Sequence, residues 1–392
     1  MDGLWSLSTL LWRDLGKSVH EAVGDTPGGP EHARLTCGFG YPRGVDERKS
    51  DRGGALDPVT TLRRIAFLLE RTRAETYKVK AFRGAAATLL TIDPDELQHR
   101  ARAGSLRELP GIGASSEKVV REALAGETPA YLRRLEETAG PLADTGREMR
   151  ARLRGDLHTH SDWSDGGSPI EEMAMTALEL GHEYVALTDH SPRLTVANGL
   201  TADRLGRQLE VVAAVNDHLG DRMRLLTGIE VDILDDGALD QTEEMLERLD
   251  VVVASVHSKL RMETDAMTRR MVAAVQHPRA DVLGHCTGRL VTGGRGKRPQ
   301  STFDAEKVFA ACAANDVAVE VNSRPERMDP PDDLVAVALA AGCLFSVDSD
   351  AHAPGQLDFL DLGCARAEEL GIPAERIVNT WPLDRLLEWA GR

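Results

Sequence analysis

From Pro58 onward the apolar positions recur at helical spacing. Beyond Arg154 the texture changes to short apolar runs alternating with longer amphipathic stretches. Leu62, Ile65, Ala66, Leu68 and Leu69 predict one helical stripe, Tyr77–Leu90 a second helix and Asp95–Ala103 a third. Leu106–Val120 then reads as helix, a Gly111-Ile112-Gly113 turn, and helix. Glycine enters turn conformations that other residues avoid, and the helix after it offers free backbone N–H groups suited to a phosphate. Candidate strands follow at Leu153–Leu157, Tyr184–Leu187, Arg224–Ile229, Val251–Ser255, Val282–Leu283, Val317–Val321 and Leu344–Val347. They alternate with helical stretches near Ile170–Leu180, Ala202–Leu219, Gln241–Leu249, Asp265–Val275, Phe303–Ala314, Asp332–Ala341 and Leu360–Leu370. Seven strand–helix units in roughly 240 residues predict a parallel β/α barrel. Residues 1–57 show little periodicity and several Gly/Pro/Asp/Ser turn clusters, which predicts a flexible leader with one short helix near Leu4–Ala22. The expected division is a leader over 1–57, a helical domain over 58–137, a linker over 138–154 and an α/β domain over 155–392.

Charge sharpens that division. The net charge of -16 is unevenly spread: residues 58–154 carry 18 Lys and Arg against 13 Asp and Glu, and residues 155–392 carry 22 against 41. A mildly basic segment joined to a strongly acidic one suggests a polyanion-binding module attached to a domain that holds cations. Cys37, Cys286, Cys312, Cys343 and Cys364 form no C-x-x-C pair, which argues for reduced thiols and a cytoplasmic protein. Leu4–Trp12 is too short and too interrupted for a signal peptide, and no apolar run is long enough to span a membrane.

The candidate chemistry lies where the apolar runs stop. His158, His160, Asp165, His190, Glu230, His257, His285, Asp350 and His352 nearly all stand just past a predicted strand. Imidazole and carboxylate are the donors that zinc, manganese and iron take, and strand ends gathered around a barrel bring distant ligands together. His158 and His160 are two apart at a strand end, so they point to one face. His99, His182, His218 and His277 lie away from strand ends and are read as ordinary structural histidines.

Six stretches resemble the polymerase-and-histidinol-phosphatase (PHP) domain: Asp156–Gly166, Ala186–Ser191, Ser255–Ser258, Gly284–His285 with Thr287–Arg289, Glu320–Asn322 with Pro325–Arg327, and Asp348–His352. Residues 58–390 as a whole resemble bacterial family X DNA polymerases with the polymerase palm missing. The resemblance implies an α/β fold, a distorted seven-stranded parallel (β/α) barrel preceded by a small all-α helix-hairpin-helix domain, with two or three divalent ions (Mn, Zn or Fe) at its C-terminal rim. It implies one ion on His158, His160, Glu230 and Asp350, a second on His257, His285 and a bridging Glu230, and a third on Asp165, His190 and His352. Asp189 and Asn322 are then expected to orient ligands or substrate. Arg289, Arg295, Lys297 and Arg327 are candidates for holding a phosphate, because guanidinium forks match its oxygens. Cys286 is read as a small buried thiol.

The Gly111–Gly113 turn and Lys78–Arg83 resemble the DNA-binding domain of those polymerases, which makes residues 58–137 the expected DNA contact, through Gly111, Gly113 and Lys118. The lysines that bind phosphate and form a Schiff base in that family fall here on Ser115 and Val119, with Lys118 adjacent, so lyase activity is not expected. About 35 residues separate the end of the helix-hairpin-helix motif at Val120 from Asp156, too few for a palm. The expectation is a metal-dependent phosphoesterase acting on DNA, as a 3'-5' exonuclease or 3'-end trimming enzyme of DNA repair. The alternatives are a small-molecule phosphatase of the histidinol phosphate type and a DNA-binding adaptor with a structural barrel.

Overall fold

In a computed structural model, residues 56–391 are described apart from 294–295. The expected leader, except for its last two residues, together with Cys37 and Arg295, lies outside the described residues.

The Asp57 side chain accepts the Thr60 N–H at 2.7 Å and Pro58 takes the first turn, so α1 starts cleanly and runs Pro58–Arg71. Its stripe of Leu62, Ile65, Ala66 and Leu69 packs with Phe82, Ala85 and Leu89 of α2 (Thr76–Leu90). Two further helices, α3 (Pro94–Ala103) and α4 (Ala114–Leu124), flank the glycine turn, and α5 (Ala130–Thr138) closes this small core through Leu132. Gly111 has φ +74, the left-handed region in which glycine has no penalty. Gly113 donates its N–H to Ser116 Oγ at 2.9 Å, fixing the start of α4.

The stretch expected to be a linker contains a helix, α6 (Arg147–Arg152), whose entry is packed tightly. A Cβ on Gly146 would lie 2.3 Å from the Ala365 nitrogen. Seven parallel strands follow in sequential order: β1 (Gly155–Thr159), β2 (Tyr184–Leu187), β3 (Arg224–Asp232), β4 (Val251–Ser255), β5 (Val282–Leu283), β6 (Ala318–Asn322) and β7 (Phe345–Asp348). A parallel bridge between Thr159 and Ala351, with the His160 N–H on the Ala351 carbonyl at 2.8 Å, nearly closes the barrel. Helices α7 (Ile170–Glu179), α8 (Ala202–Leu219), α9 (Glu243–Leu246), α10 (Thr264–Val275), α11 (Ala305–Ala314), α12 (Asp332–Ala341) and α13 (Leu360–Glu369) occupy the connections and the stretch after β7.

Period-two alternation divides each strand between two cores. On β4, Val251 and Val253 join Leu157, Tyr184, Leu226 and Val282, whereas Val252 and Ala254 pack toward the helices. The first of these clusters continues into Trp381 and into Leu386 and Trp389 of a last helix, α14 (Leu383–Ala390), which seals the end where the strands begin. Tyr184 anchors that seal by donating its hydroxyl to the Asn379 and Trp381 carbonyls at 3.0 Å each. The end where the strands finish is left for the site. Among the described residues no helix is long and apolar enough to cross a membrane, and the four described cysteines are free and buried.

Candidate metal centre

Each strand except β6 delivers donors to one rim. β1 brings His158 and, one step past its end, His160; the loop after it carries Asp165; β2 leads to His190, β3 holds Glu230, and β4, β5 and β7 lead to His257, His285 and the Asp350/His352 pair. Among the described residues four groups have ligand atoms within 4.8 Å of one another: His160–Asp165–His190–His352, His158–Glu230–His285, His158–His160–Asp350 and His190–Glu230–His257. Every one of the nine residues singled out from the sequence belongs to at least one group.

Glu230 stands at the middle. Its Oε2 lies 3.3 Å from His158 Nε2, 3.6 Å from His160 Nε2 and 2.8 Å from His190 Nδ1, while its Oε1 lies 3.2 Å from His257 Nε2 and 2.8 Å from His285 Nε2. The two oxygens thus face two different sets of imidazoles. Beyond them, His160 Nε2 is 3.5 Å from Asp350 Oδ1, and Asp165 Oδ1 is 3.4 Å from His190 and 3.2 Å from His352. Close as they are, many of these atoms are not aligned as hydrogen bonds. Both Glu230 oxygens and the Nε2 atoms of His158, His160, His257 and His285 are buried without a hydrogen-bond partner. Isolated polar atoms in an interior cost roughly 1–3 kcal/mol each, and so many together fit a site that holds cations. The donor set fits zinc, manganese or iron.

The electrostatics divide the donors into two kinds. Burial on its own would raise the Glu230 carboxyl, but His257, His158, His190 and His285 outweigh it and hold the group well below the usual range. Burial, reinforced by His352 and His190, pushes His160 down to about 3; burial and Arg327 push His285 down to about 4. Both imidazoles are therefore neutral, the form that binds metal. His190, His158 and His257 differ, because nearby carboxylates outweigh their burial: Glu230 and Asp165 draw His190 up to about 10, Glu230 and Glu320 hold His158 well above its usual value, and Glu230 with Asp232 raises His257.

The supporting residues fall in distinct places. Asp189 accepts the Ser161 N–H at 2.8 Å, the Ser161 hydroxyl at 2.6 Å and the Gln208 amide at 2.6 Å, so it braces the loop that carries Asp165. Asn322 donates to Asp350 Oδ2 at 3.1 Å and to Glu320 Oε2 at 3.2 Å. Arg327 is buried and donates its Nε to Asp350 Oδ2 at 3.0 Å, beside the donor cluster. Arg289 turns elsewhere, donating to the Arg327 and Met328 carbonyls, and clamps the loop after β6. Lys297 is exposed on the loop after β5. Gly111 and Gly113 form the turn before α4, and Lys118 is exposed on that helix, 3.7 Å from Glu122. Cys286 is buried, and burial pushes its thiol well above the ordinary range. Arg83, part of the basic Lys78–Arg83 stretch, points into the barrel interface and not to solvent, meeting Glu70 and Glu172.

Two residues of the site escaped the sequence reading. Glu320 lies 2.6 Å from His158 Nδ1 and also accepts the His285 backbone N–H. A lone carboxylate in the otherwise apolar run of β6 was its signal. Arg324 donates to the Asp350 carbonyl at 3.0 Å and lies 2.8 Å from His352 Nδ1.

Residues 156–324 match the PHP domain family and residues 56–129 match the helix-hairpin-helix domain family. The DNA polymerase/3'-5' exonuclease PolX of Bacillus subtilis is 35% identical over 228 residues, 58% of this chain but only 39% of that protein. A protein of Caldanaerobacter subterraneus subsp. tengcongensis named "probable phosphatase" is 26% identical over 245 residues, 59% of this chain and 89% of the relative. A solved structure of histidinol phosphate phosphatase from Lactococcus lactis, complexed with zinc, L-histidinol and phosphate, aligns with a TM-score of 0.42 at 18% identity, covering 56% of this chain and 95% of that one. With its nine clustered donors on a seven-stranded barrel and a glycine-turn helical module ahead of them, the chain carries a PHP domain preceded by a helix-hairpin-helix domain.

Proposed function

We infer that the chain is a metal-dependent phosphoesterase, and we propose that its substrate is DNA, trimmed from 3' ends. One observation carries the first part: a single buried carboxylate, Glu230, shared between two sets of imidazoles whose ring nitrogens have no hydrogen-bond partner. His158, His160, Glu230 and Asp350 would hold one ion, Glu230, His257 and His285 a second, and Asp165, His190 and His352 a third. Divalent ions held here would supply Lewis acidity at the phosphoryl oxygens and a water acidic enough to attack near neutral pH. The protein's part is orientation. Glu320 and Asn322 fix His158 and Asp350, and Asp189 fixes the loop of Asp165. Arg327 and Arg324 place positive charge next to Asp350, where a phosphate oxygen approaching the rim would meet it.

Support for DNA comes from the helix-hairpin-helix module and from a relative whose name includes 3'-5' exonuclease. The relatives named as phosphatases, which this chain spans almost in full, favour a second reading in which a small phosphomonoester enters the same rim. A metal-reconstituted assay separates the two. It compares 3'-labelled and 5'-labelled DNA, bis(p-nitrophenyl) phosphate and histidinol phosphate. The DNA reading expects loss of nucleotides from 3' ends, with efficiency falling as salt rises. Turnover of histidinol phosphate without any action on DNA would overturn it.

A further inference from the structure

The helical module and the barrel are joined by buried charge. Glu70 on α1 is 4% exposed and uses both carboxylate oxygens. Its Oε1 accepts Arg83 Nε at 2.9 Å, and its Oε2 accepts Arg83 Nη2 at 2.7 Å and the backbone N–H of Gly355 at 2.8 Å. The same Arg83 reaches Glu172 on α7 at 2.7 Å, and Arg63, 2% exposed, reaches Glu179 on α7 at 3.1 Å. Arg71 adds Asp358 at 2.6 Å. Packing is as close as backbone allows: a Cβ on Gly355 would lie 2.2 Å from the Phe67 carbonyl oxygen.

These contacts fall on the two segments that flank one donor group. Gly355 and Gln356 belong to the turn Pro354–Phe359, and Gln356 Oε1 accepts the His352 N–H at 2.9 Å. Glu172 and Glu179 belong to α7, which begins directly after the loop of Asp165. The two loops are also tied to each other, with Gly167 N–H on the His352 carbonyl at 2.7 Å and Asp165 Oδ1 3.2 Å from His352 Nε2. Held by ionic hydrogen bonds and an ion pair in an interior, both loops are coupled to α1 and α2, and a shift of either would strain these contacts.

We propose that Glu70 and Arg83 of the helical module are positioning residues for the Asp165–His352 side of the metal centre, so that the helix-hairpin-helix module is a structural part of the site as well as its expected DNA contact. This rests on the metal-centre reading above. Neither residue touches a donor atom; each acts through a loop.

The test uses the full chain. Glu70→Gln preserves size but sets an amide donor against the Arg83 and Gly355 donors, and Gly355→Ala forces the turn off α1. Metal content after reconstitution, kcat and KM for bis(p-nitrophenyl) phosphate, and hydrogen exchange of peptides covering 160–168 and 350–356 are measured. Arg102→Ala, on the exposed face of α3, is the control. The expected result is one ion fewer per chain, kcat lowered by about 10-fold with little change in KM, and faster exchange in those two peptides, with the control unchanged. Folded variants with wild-type metal content, kcat and exchange would overturn the proposal. Should Gly355→Ala fail to fold, Glu172→Gln serves in its place under the same expectation. A wild-type chain that binds no divalent ion overturns the phosphoesterase reading and this inference with it. Normal wild-type loading with unchanged variants overturns this inference alone.

Discussion

His158 Nδ1 and Glu320 Oε1 lie 2.6 Å apart in the interior of the barrel. A carboxylate accepts, so in the neutral imidazole that binds metal the proton is held on Nδ1 and the lone pair is on Nε2, the nitrogen that faces Glu230. Glu320 therefore selects the tautomer in which His158 is able to bind a metal. The same carboxylate takes the His285 backbone N–H, so one side chain orients donors from two strands. Glu320→Gln should weaken metal affinity and lower turnover by about 10–100-fold, because an amide is a weaker and less basic partner for the imidazole. Competition with a chelator and the rate on bis(p-nitrophenyl) phosphate check this; unchanged values would remove Glu320 from the site.

Glu230→Ala should be the most damaging single substitution. It takes away a carboxylate that faces both sets of histidines, so it should reduce metal content and lower activity by at least about 10²-fold. A variant with normal metal content and normal turnover would sink the assignment of the centre.

The buried carboxyls of Asp156 and Asp348 give a pH-dependent prediction. Burial and the nearby Asp348 raise Asp156 to about 8, and burial with Glu320 raises Asp348 to about 6. A carboxyl raised in the folded state keeps its proton after the unfolded chain has lost it. Its contribution to stability therefore declines as pH rises from the ordinary carboxyl range, near 3.8, toward 8. Asp348→Asn removes one of the two charges while Oδ1 still accepts from Leu157 N–H and Asn379. Urea denaturation of metal-free protein between pH 5 and 8 should show a shallower loss in the variant than in wild type. Parallel curves would contradict the shared-charge account.

Primer extension should be absent with any nucleotide or metal, since the segment between the glycine turn and Asp156 forms three helices, α4, α5 and α6, and not a palm. Borohydride should trap no adduct on an abasic-site substrate. Val119, where the family's lysine would fall, is a core residue 1% exposed, and Lys118 points to solvent beside Glu122. Extension that survives controls would contradict this architecture. An adduct abolished by Lys118→Ala would show that the neighbouring lysine serves.

Local pattern was enough for much of the protein. A short unbroken apolar run marks a strand buried on both faces, so β2, β4 and β5 stand where such runs place them. The nine candidate donors could be picked out because nearly all stand at or just past a strand end, and parallel strands in sequential order must finish on one rim. Where polar residues are buried the pattern is blind. β3 runs on to Asp232 because Glu230 and Asp232 are inside the protein, and α6 and α14 are short helices whose stability comes from what they pack against. Sequence also could not tell which arginine meets the donors, because Arg289 and Arg327 sit on neighbouring loops and only the path of the chain sends one to carbonyl oxygens and the other to Asp350. Least legible of all was the fate of Glu70 and Arg83. Glu70 drew no reading, and Arg83 entered only with the Lys78–Arg83 stretch that resembles a DNA-binding domain. Only the docking of α1 and α2 on the barrel, which brings Glu70 to Gly355 285 positions away, buries them against Gly355 and Glu172. Periodicity is a property of neighbours along the chain. Partnership between buried charges belongs to surfaces that meet only after folding.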